Sequence, residues 1–150
     1  MNEAEILNSK ILIVDDAEAN LKLLEDLLAK EGFTQVVSTA DSTRALDLFK
    51  AFEPDLVLLD LMMPELDGYA LLEMLSRHIA QDEYLPVLVI TADATIAAKR
   101  KALALGARDF LNKPFDTIEA MLRVWNLLET RVLYLRLKRL SDGIQPATPA

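Results

Sequence analysis

The segment LVLLDLMMPELDG, residues 56–68, decides how this chain is expected to fold. It begins with four consecutive apolar residues and then reaches a carboxylate at Asp60. A short run that is apolar at every position indicates a strand buried on both faces, as in parallel sheets. The runs ILIV (11–14) and VLVI (87–90) have the same character. The sequence therefore predicts a parallel sheet with polar side chains where its strands end.

Strand candidates alternate with amphipathic segments along the whole chain. The expected strands are 11–14, 33–38, 55–59, 86–91 and 108–111. Apolar residues at helical spacing follow Asp16 and Asp41, and the other helices are expected over 66–79, 95–105 and 116–140. This alternation predicts an α/β fold: a doubly wound five-stranded parallel sheet with five helices, the last one extended.

Composition narrows the class of protein. The 150 residues include no cysteine and carry a net charge of −8, and residues 1–115 alone carry −9. An acidic body repels nucleic-acid phosphates, so we expect no direct binding of nucleic acid. No apolar run reaches the roughly 20 residues that span a bilayer, and the N-terminus lacks the pattern of a secretory signal. We therefore expect a cytoplasmic protein with no membrane contact.

Chemically useful side chains gather at one edge of the predicted sheet. In open α/β sheets, ligands bind beyond the carboxyl ends of the strands. Five side chains stand at such ends: Asp15, Asp16, Asp60, Thr91 and Lys113. Three converging carboxylates require a cation, and Mg²⁺ prefers oxygen ligands. The edge therefore predicts a magnesium site.

The same residues predict phosphoryl transfer. Asp60 is already ionised at neutral pH and can attack phosphorus directly, which gives an acyl phosphate without a general base. The three oxygens of the transferred group can be met by Mg²⁺, the Lys113 ammonium and the Thr91 hydroxyl.

The segments ILIVDD, LVLLDLMMPELDG, VLVITA and DFLNKPF resemble the signature segments of response-regulator receiver domains, over about residues 10–127. The resemblance implies a flavodoxin-like strand order of 2-1-3-4-5 and a receiver domain over 1–127. It also implies that a sensor histidine kinase or a phosphotransfer protein donates a phosphoryl group to Asp60.

The resemblance assigns the metal ligands as well. Asp16 is expected to bind Mg²⁺ directly, and Asp15 is expected to bind it through water. Asp60 is expected to be both the phosphoacceptor and a ligand, and the backbone carbonyl of Met62 completes the protein's share of the coordination.

A conformational switch is also implied by the resemblance. Lys113 is expected to pair with the phosphoryl group, and its bond to Pro114 is expected to be cis. Movement of Thr91 toward the phosphoryl group leaves a space, which Phe110 would fill from a more exposed position. This movement would remodel the face formed by the fourth helix, fifth strand and fifth helix.

The last helical pattern is too long for the receiver body. Residues 116–140 span about 38 Å at about 1.5 Å per residue, whereas a domain of this size is about 30–35 Å across. We therefore expect 128–140 to project as a linker or dimerisation coiled coil. A first apolar stripe has the spacing of a coiled-coil seam: Ile118, Met121, Trp125, Leu128, Val132 and Leu135. Its first two members should pack on the sheet, and Leu133, Leu137 and Leu140 form a second stripe. Period-two alternation leaves a strand open over 132–138.

An exposed apolar helix predicts a partner. We expect a homodimer through this helix, a C-terminal output domain, or both, followed by a flexible tail over 141–150. The segment VWNLLETRVLYLRLKRL, residues 124–140, is similar to the linker helix between receivers and HD-GYP cyclic-di-GMP phosphodiesterases, although these residues contain no HD or GYP motif.

The residues favour a binding and switching module that catalyses only its own phosphorylation and dephosphorylation, rather than a metabolic enzyme. Three other interpretations fit the sequence less well. An aspartyl-phosphate phosphohydrolase typically has a second Asp two residues after the nucleophile, where this chain has Met62. A flavin-binding protein needs a phosphate loop rich in Ser, Thr or Gly, where this chain has DDAEAN. A degenerate pseudo-receiver would lack some key residues, and none is missing.

Overall fold

The computed structural model describes residues 3–63 and 67–143. It contains one five-stranded sheet in the order β2-β1-β3-β4-β5, and all neighbouring strands are parallel. The strands are β1 (Lys10–Val14), β2 (Gln35–Thr39), β3 (Leu56–Asp60), β4 (Val87–Thr91) and β5 (Asp109–Asn112). The predicted order is confirmed, and each predicted strand is found within two residues of its expected bounds.

Helices cover both faces of the sheet, as the alternating pattern predicts. Within the described ranges they are α1 (Glu3–Leu7), α2 (Glu18–Glu31), α3 (Ala45–Phe52), α4 (Gly68–Arg77), α5 (Ile96–Ala104) and α6 (Thr117–Gly143). The sequence predicts five helices, and α1 is the addition, since five residues are too few to show a helical period. Leu66, the expected start of the third helix, lies outside the described residues.

Successive side chains of each strand pack alternately into two separate hydrophobic cores, one on each face of the sheet. Ile11 and Ile13 of β1 pack in one core with residues of α1, α2 and α6. Leu12 and Val14 pack in the other core with residues of α3 and α4. All four side chains are fully buried, which explains why these strands are apolar at every position. None of the helices in the described part of the chain has the length and hydropathy of a membrane-spanning segment.

The face by which α6 packs matches the predicted seam only in part: Met121 packs against the core as expected, but two other members of the seam do not lie where they were predicted. Ile118, expected to pack on the sheet, is 69% exposed, whereas Val132, expected to project, is only 5% exposed. The buried residues of the helix are Ala120, Val124, Leu127, Leu128, Arg131 and Val132. Spacings of three and four fit both stripes, and only the tertiary contact with the sheet selects between them. Residues 132–138 are helical, so the strand alternative is wrong.

The N-terminal helix α1 holds the later turns of α6 against the body. Ile6 is 2% exposed and lies in the same core as Val132. Glu5 forms an ion pair with Arg136, whose Nε donates to Glu5 at 3.2 Å. The helix therefore stays in contact with the domain beyond residue 128, while Leu133, Leu137 and Leu140 remain exposed.

Arg131 fastens α6 to the amino edge of the sheet. This arginine is 7% exposed, and its Nε lies 3.1 Å from Asp55, directly before β3. Its Nη1 donates to the carbonyl of Tyr84 at 2.9 Å and lies 3.4 Å from Glu83. Asp55 also accepts from the backbone N–H of Lys10 at 2.8 Å, so the contact reaches β1 as well.

Replacement of Arg131 by Met is expected to lower the free energy of unfolding by about 1–3 kcal/mol, because Asp55 and a backbone carbonyl lose a partner in a poorly hydrated site. Urea denaturation measures the change. Arg139→Met on the same helix is the control, since Arg139 is exposed and its one hydrogen bond to a described residue goes to the carbonyl of Leu135. Equal effects of the two substitutions would contradict the role of Arg131 in fastening α6 to the sheet.

Candidate functional site at the carboxyl edge of the sheet

Three carboxylates converge where β1 and β3 end. Asp15 and Asp60 are 2% and 4% exposed, and Asp16 is exposed. One oxygen of each carboxylate lies within 4.8 Å of the others. The convergence predicted from the strand ends is therefore present, because β1 and β3 are neighbours in the sheet.

Lys113 completes the cluster from the loop after β5. Its Nζ lies 2.9 Å from Asp15 Oδ2 and 3.3 Å from Asp60 Oδ2. The Lys113–Pro114 bond is cis, as the resemblance implies. The backbone N–H of Lys113 donates to the carbonyl of Thr91 at 2.8 Å, which fixes the loop against the end of β4.

The charged groups of the cluster shift one another's pKa values. Burial raises the pKa of Asp60, and the nearby charge of Asp15 acts in the same direction, whereas the N–H of Met62 and the Lys113 ammonium oppose the shift. Burial lowers the pKa of Lys113, but the hydrogen bond and charge of Asp15, together with Asp60, outweigh it and place the pKa above its ordinary value. Asp60 is thus a carboxylate whose ionised form is destabilised by burial and by Asp15.

The neighbours of Asp60 supply further polar contacts. The N–H of Met62 donates to Asp60 Oδ1 at 3.1 Å, while the Met62 side chain is 60% exposed. Thr91 is fully buried, and its Oγ1 accepts from the N–H of Asp93 at 3.3 Å. The role of the Met62 carbonyl as a ligand stays a prediction.

Phe110 is more deeply buried than the resemblance implies. It is expected in a more exposed position, but it is only 9% exposed and belongs to the same core cluster as Val89 and Ala102. Its ring carries no polar group that would favour the surface. The Nζ of Lys99 on α5 lies 5.6 Å from the ring centroid, so this helix covers the ring from outside.

Gly68 positions the site and was missed in the sequence. A Cβ at this position would lie 2.3 Å from the Cα of Leu61, and the N–H of Gly68 donates to the Leu61 carbonyl at 3.2 Å. Only glycine therefore lets the start of α4 lie against the chain directly after Asp60. A Gly at the start of a predicted helix was the available signal, but its close contact is tertiary.

The donor set fits a hard divalent cation. All three candidate ligands are carboxylates with oxygens close to one another, and there is no sulfur or imidazole among them. Such a set suits Mg²⁺, which takes few protein oxygens and retains water. The ion would replace part of the charge neutralisation that Lys113 now provides for Asp15 and Asp60.

A parallel sheet of order 2-1-3-4-5 with an acidic cluster and a lysine at its carboxyl edge defines a receiver-type signalling domain. Comparison with known families agrees: the model of the response regulator receiver domain matches residues 11–124. The chain belongs to this family.

Individual relatives support the assignment. "Probable transcriptional regulator ycf27" of Cyanophora paradoxa is 39% identical over 124 residues, which cover 83% of this chain and 50% of that protein. "Response regulator PleD" of Caulobacter vibrioides is 35% identical over 133 residues, covering 89% and 29%. The solved receiver domain of the Francisella response regulator 1452 shares 31% identity with a TM-score of 0.69, covering 82% of this chain and 98% of that one. The chain thus spans about half or less of the length of these curated relatives.

Mg²⁺ is expected to stabilise the protein, because it relieves the repulsion among the three carboxylates. A ligand at about ten times its dissociation constant adds about 1.4 kcal/mol to the free energy of unfolding. Urea denaturation with and without MgCl₂, at constant ionic strength, measures this gain. Asp16→Asn should remove most of it, whereas Asp26→Asn on the exposed surface of α2 should not. An equal gain in all three proteins would argue against the site.

Proposed function

We propose that Asp60 accepts a phosphoryl group from the phosphohistidine of a sensor kinase or phosphotransfer protein. The observation that carries the proposal is the placement of Lys113 between Asp15 and Asp60 at the carboxyl edge of the sheet. One oxygen of each of these carboxylates and one of Asp16 lie within 4.8 Å of one another. Receiver domains of response regulators interact with histidine kinases and output domains, and this chain has the family's fold and acidic pocket.

The reaction needs an in-line attack and charge stabilisation. An oxygen of Asp60 forms the new O–P bond while the P–N bond to the donor imidazole breaks, and the released imidazole nitrogen keeps the electron pair. Bound Mg²⁺ would neutralise one phosphoryl oxygen. Lys113, already aimed at Asp60, pairs with a second oxygen, and the Thr91 hydroxyl donates to the third.

Asp15, Asp16, Asp60 and the Met62 carbonyl would hold the metal. Asp15 and Asp60 are buried and preorganised by neighbouring strands, whereas Asp16 is exposed and adapts more easily. The N–H of Met62 already holds one Asp60 oxygen at 3.1 Å, which orients the other toward the Lys113 ammonium. The same geometry serves hydrolysis of the acyl phosphate by water.

Thr91 and Phe110 would transmit the change. The face expected to respond, formed by the fourth predicted helix, the fifth strand and the fifth predicted helix, corresponds to α5, β5 and α6, because α1 precedes the first predicted helix. Phe110 lies in the core below Lys99 of α5, so a change in the space beside Thr91 would alter the packing of α5. Phenylalanine cannot donate the hydrogen bond that a tyrosine would, so its inward position depends on burial alone.

The output is expected to act through α6. Several relatives are named as transcriptional regulators, and all the curated relatives compared above are longer than this chain. We infer that the receiver controls a further domain or a second copy of itself through the exposed stripe Leu133, Leu137 and Leu140. Attachment to an HD-GYP domain and a cytoplasmic location remain predictions.

Incubation with acetyl phosphate and Mg²⁺ is expected to add one phosphoryl group per chain, because Asp60 is the proposed phosphoacceptor and the Lys113 ammonium lies 3.3 Å from it. Intact-mass spectrometry measures the addition. Asp60→Asn should abolish it, and Asp26→Asn should leave it unchanged. Modification of Asp60→Asn at the wild-type rate would refute the assignment, and turnover of unrelated phosphoesters would indicate a phosphohydrolase instead.

Association through α6 is expected to depend on its exposed leucines. Leu137 is 67% exposed, and Leu137→Asp should weaken any self-association by placing a charge in the stripe. Sedimentation velocity over a range of concentrations, with and without beryllofluoride, measures the effect. Leu23→Asp on α2, where the leucine is 44% exposed, is the matched control. A wild-type protein that stays monomeric in both conditions would exclude the dimer.

A further inference from the structure

Asn112, the residue of β5 that is paired with Thr91 of β4, has a side-chain oxygen without a hydrogen-bond partner in the described part of the chain. The Oδ1 atom of Asn112 is buried and has no hydrogen-bond partner among the described residues. A buried carbonyl oxygen without a partner is costly, because it has lost its contact with water. Asn112 ends β5 directly before Lys113, and neither the metal site nor the phosphoryl contacts described above involve it.

The sheet register places Asn112 next to Thr91. The two residues are paired across β4 and β5, and paired residues of neighbouring strands direct their side chains to the same face. The preceding pair on this face, Val89 and Phe110, lies in the core covered by α3, α4 and α5. Thr91 and Asn112 therefore face α5, on the same side of the sheet as the Phe110 ring.

The hydrogen-bonding needs of the two side chains are complementary. Within the described residues, the Thr91 hydroxyl makes one hydrogen bond, as an acceptor from Asp93, and its own proton has no acceptor. A hydroxyl can donate and accept at once, and rotation about χ1 moves it between staggered positions. The two groups do not hydrogen-bond to each other in this structure, but they belong to paired residues, and a change of rotamer could bring the donor to the acceptor.

We propose that Asn112 is a positioning residue whose Oδ1 accepts the Thr91 hydroxyl proton after a change of side-chain rotamer, in a resting arrangement available while Asp60 carries no phosphoryl group. This inference rests on the proposed phosphoacceptor function. Phosphorylation supplies a charged oxygen, which is the stronger acceptor, and the hydroxyl leaves Asn112 for it. Asn112 therefore favours the resting arrangement of Thr91 and sets how strongly a phosphoryl group must compete for the hydroxyl.

A double-mutant cycle with Thr91 tests the contact. Asn112→Leu keeps the shape of the side chain and removes its oxygen, and Thr91→Val removes the hydroxyl. With Thr91 present, Asn112→Leu should accelerate phosphorylation by acetyl phosphate by about 3- to 10-fold, the effect of one neutral hydrogen bond on an equilibrium. In the Thr91→Val background the same substitution should change the rate by less than about 1.5-fold, because no hydroxyl remains to be held.

Asn112→Asp is the acceptor-retaining variant. It should slow phosphorylation for two reasons, since it holds the hydroxyl more strongly and adds a negative charge near Asp60. The part of its effect that disappears in the Thr91→Val background measures the hydrogen bond. A purely structural role for Asn112 would instead give equal effects of each substitution in both backgrounds, and that result would overturn the inference.

A second measurement does not require phosphorylation. Three-bond couplings to the Thr91 methyl group report its χ1 rotamer in the unphosphorylated protein. We expect one dominant rotamer in the wild type and Asn112→Asp, and a shift to another in Asn112→Leu. If the wild type takes up no phosphoryl group, the proposed function fails, but these couplings still decide the role of Asn112. Identical couplings in all three proteins would refute it.

Discussion

The ammonium of Lys113 lies between two buried carboxylates, and the arrangement of the carboxyl edge depends on this contact. Asp15 and Asp60 are each less than 5% exposed, so bulk water solvates neither carboxylate well. Buried like charges in contact are unstable without a counter-charge. Lys113 provides it at 2.9 and 3.3 Å from the loop after β5, and β4 separates this strand from β3.

The opposite edge of the sheet has a comparable contact with a different consequence. Arg131 is also a buried cation, but it bonds to Asp55 and to a backbone carbonyl at the amino ends of the strands. The helix α6 therefore follows the loop of Lys113 at the carboxyl edge of the sheet and is fastened by Arg131 at the amino edge. Because both ends of this path are tied to the sheet, the direction in which its last turns leave the domain is fixed by the body rather than by a free hinge.

The sequence sufficed where a feature depends on local pattern or on strand order. Continuously apolar runs predicted buried strands, and residues at strand ends predicted the cluster of Asp15, Asp60 and Lys113. The pattern failed where two solutions fit the same periodicity, as in α6, where Ile118 is exposed and Val132 is buried. It also failed for α1, which is short, and for Gly68, whose need to be glycine comes from contact with Leu61. These features depend on contacts between residues far apart in the chain, and the local sequence pattern around one residue does not reveal such contacts.

The register of β4 and β5 explains why the proposed switch residues face one helix. Thr91, Phe110 and Asn112 lie on the same side of the sheet because side chains alternate along each strand and are paired across neighbouring strands. On the proposed switch, a change at Thr91 would therefore act on α5, where Lys99 lies over the Phe110 ring, rather than on the α2 side of the sheet. Phe110 has no hydroxyl, so it cannot add a polar contact to this path. Asn112, whose buried amide oxygen has no partner among the described residues, is the residue on this face that we propose supplies one.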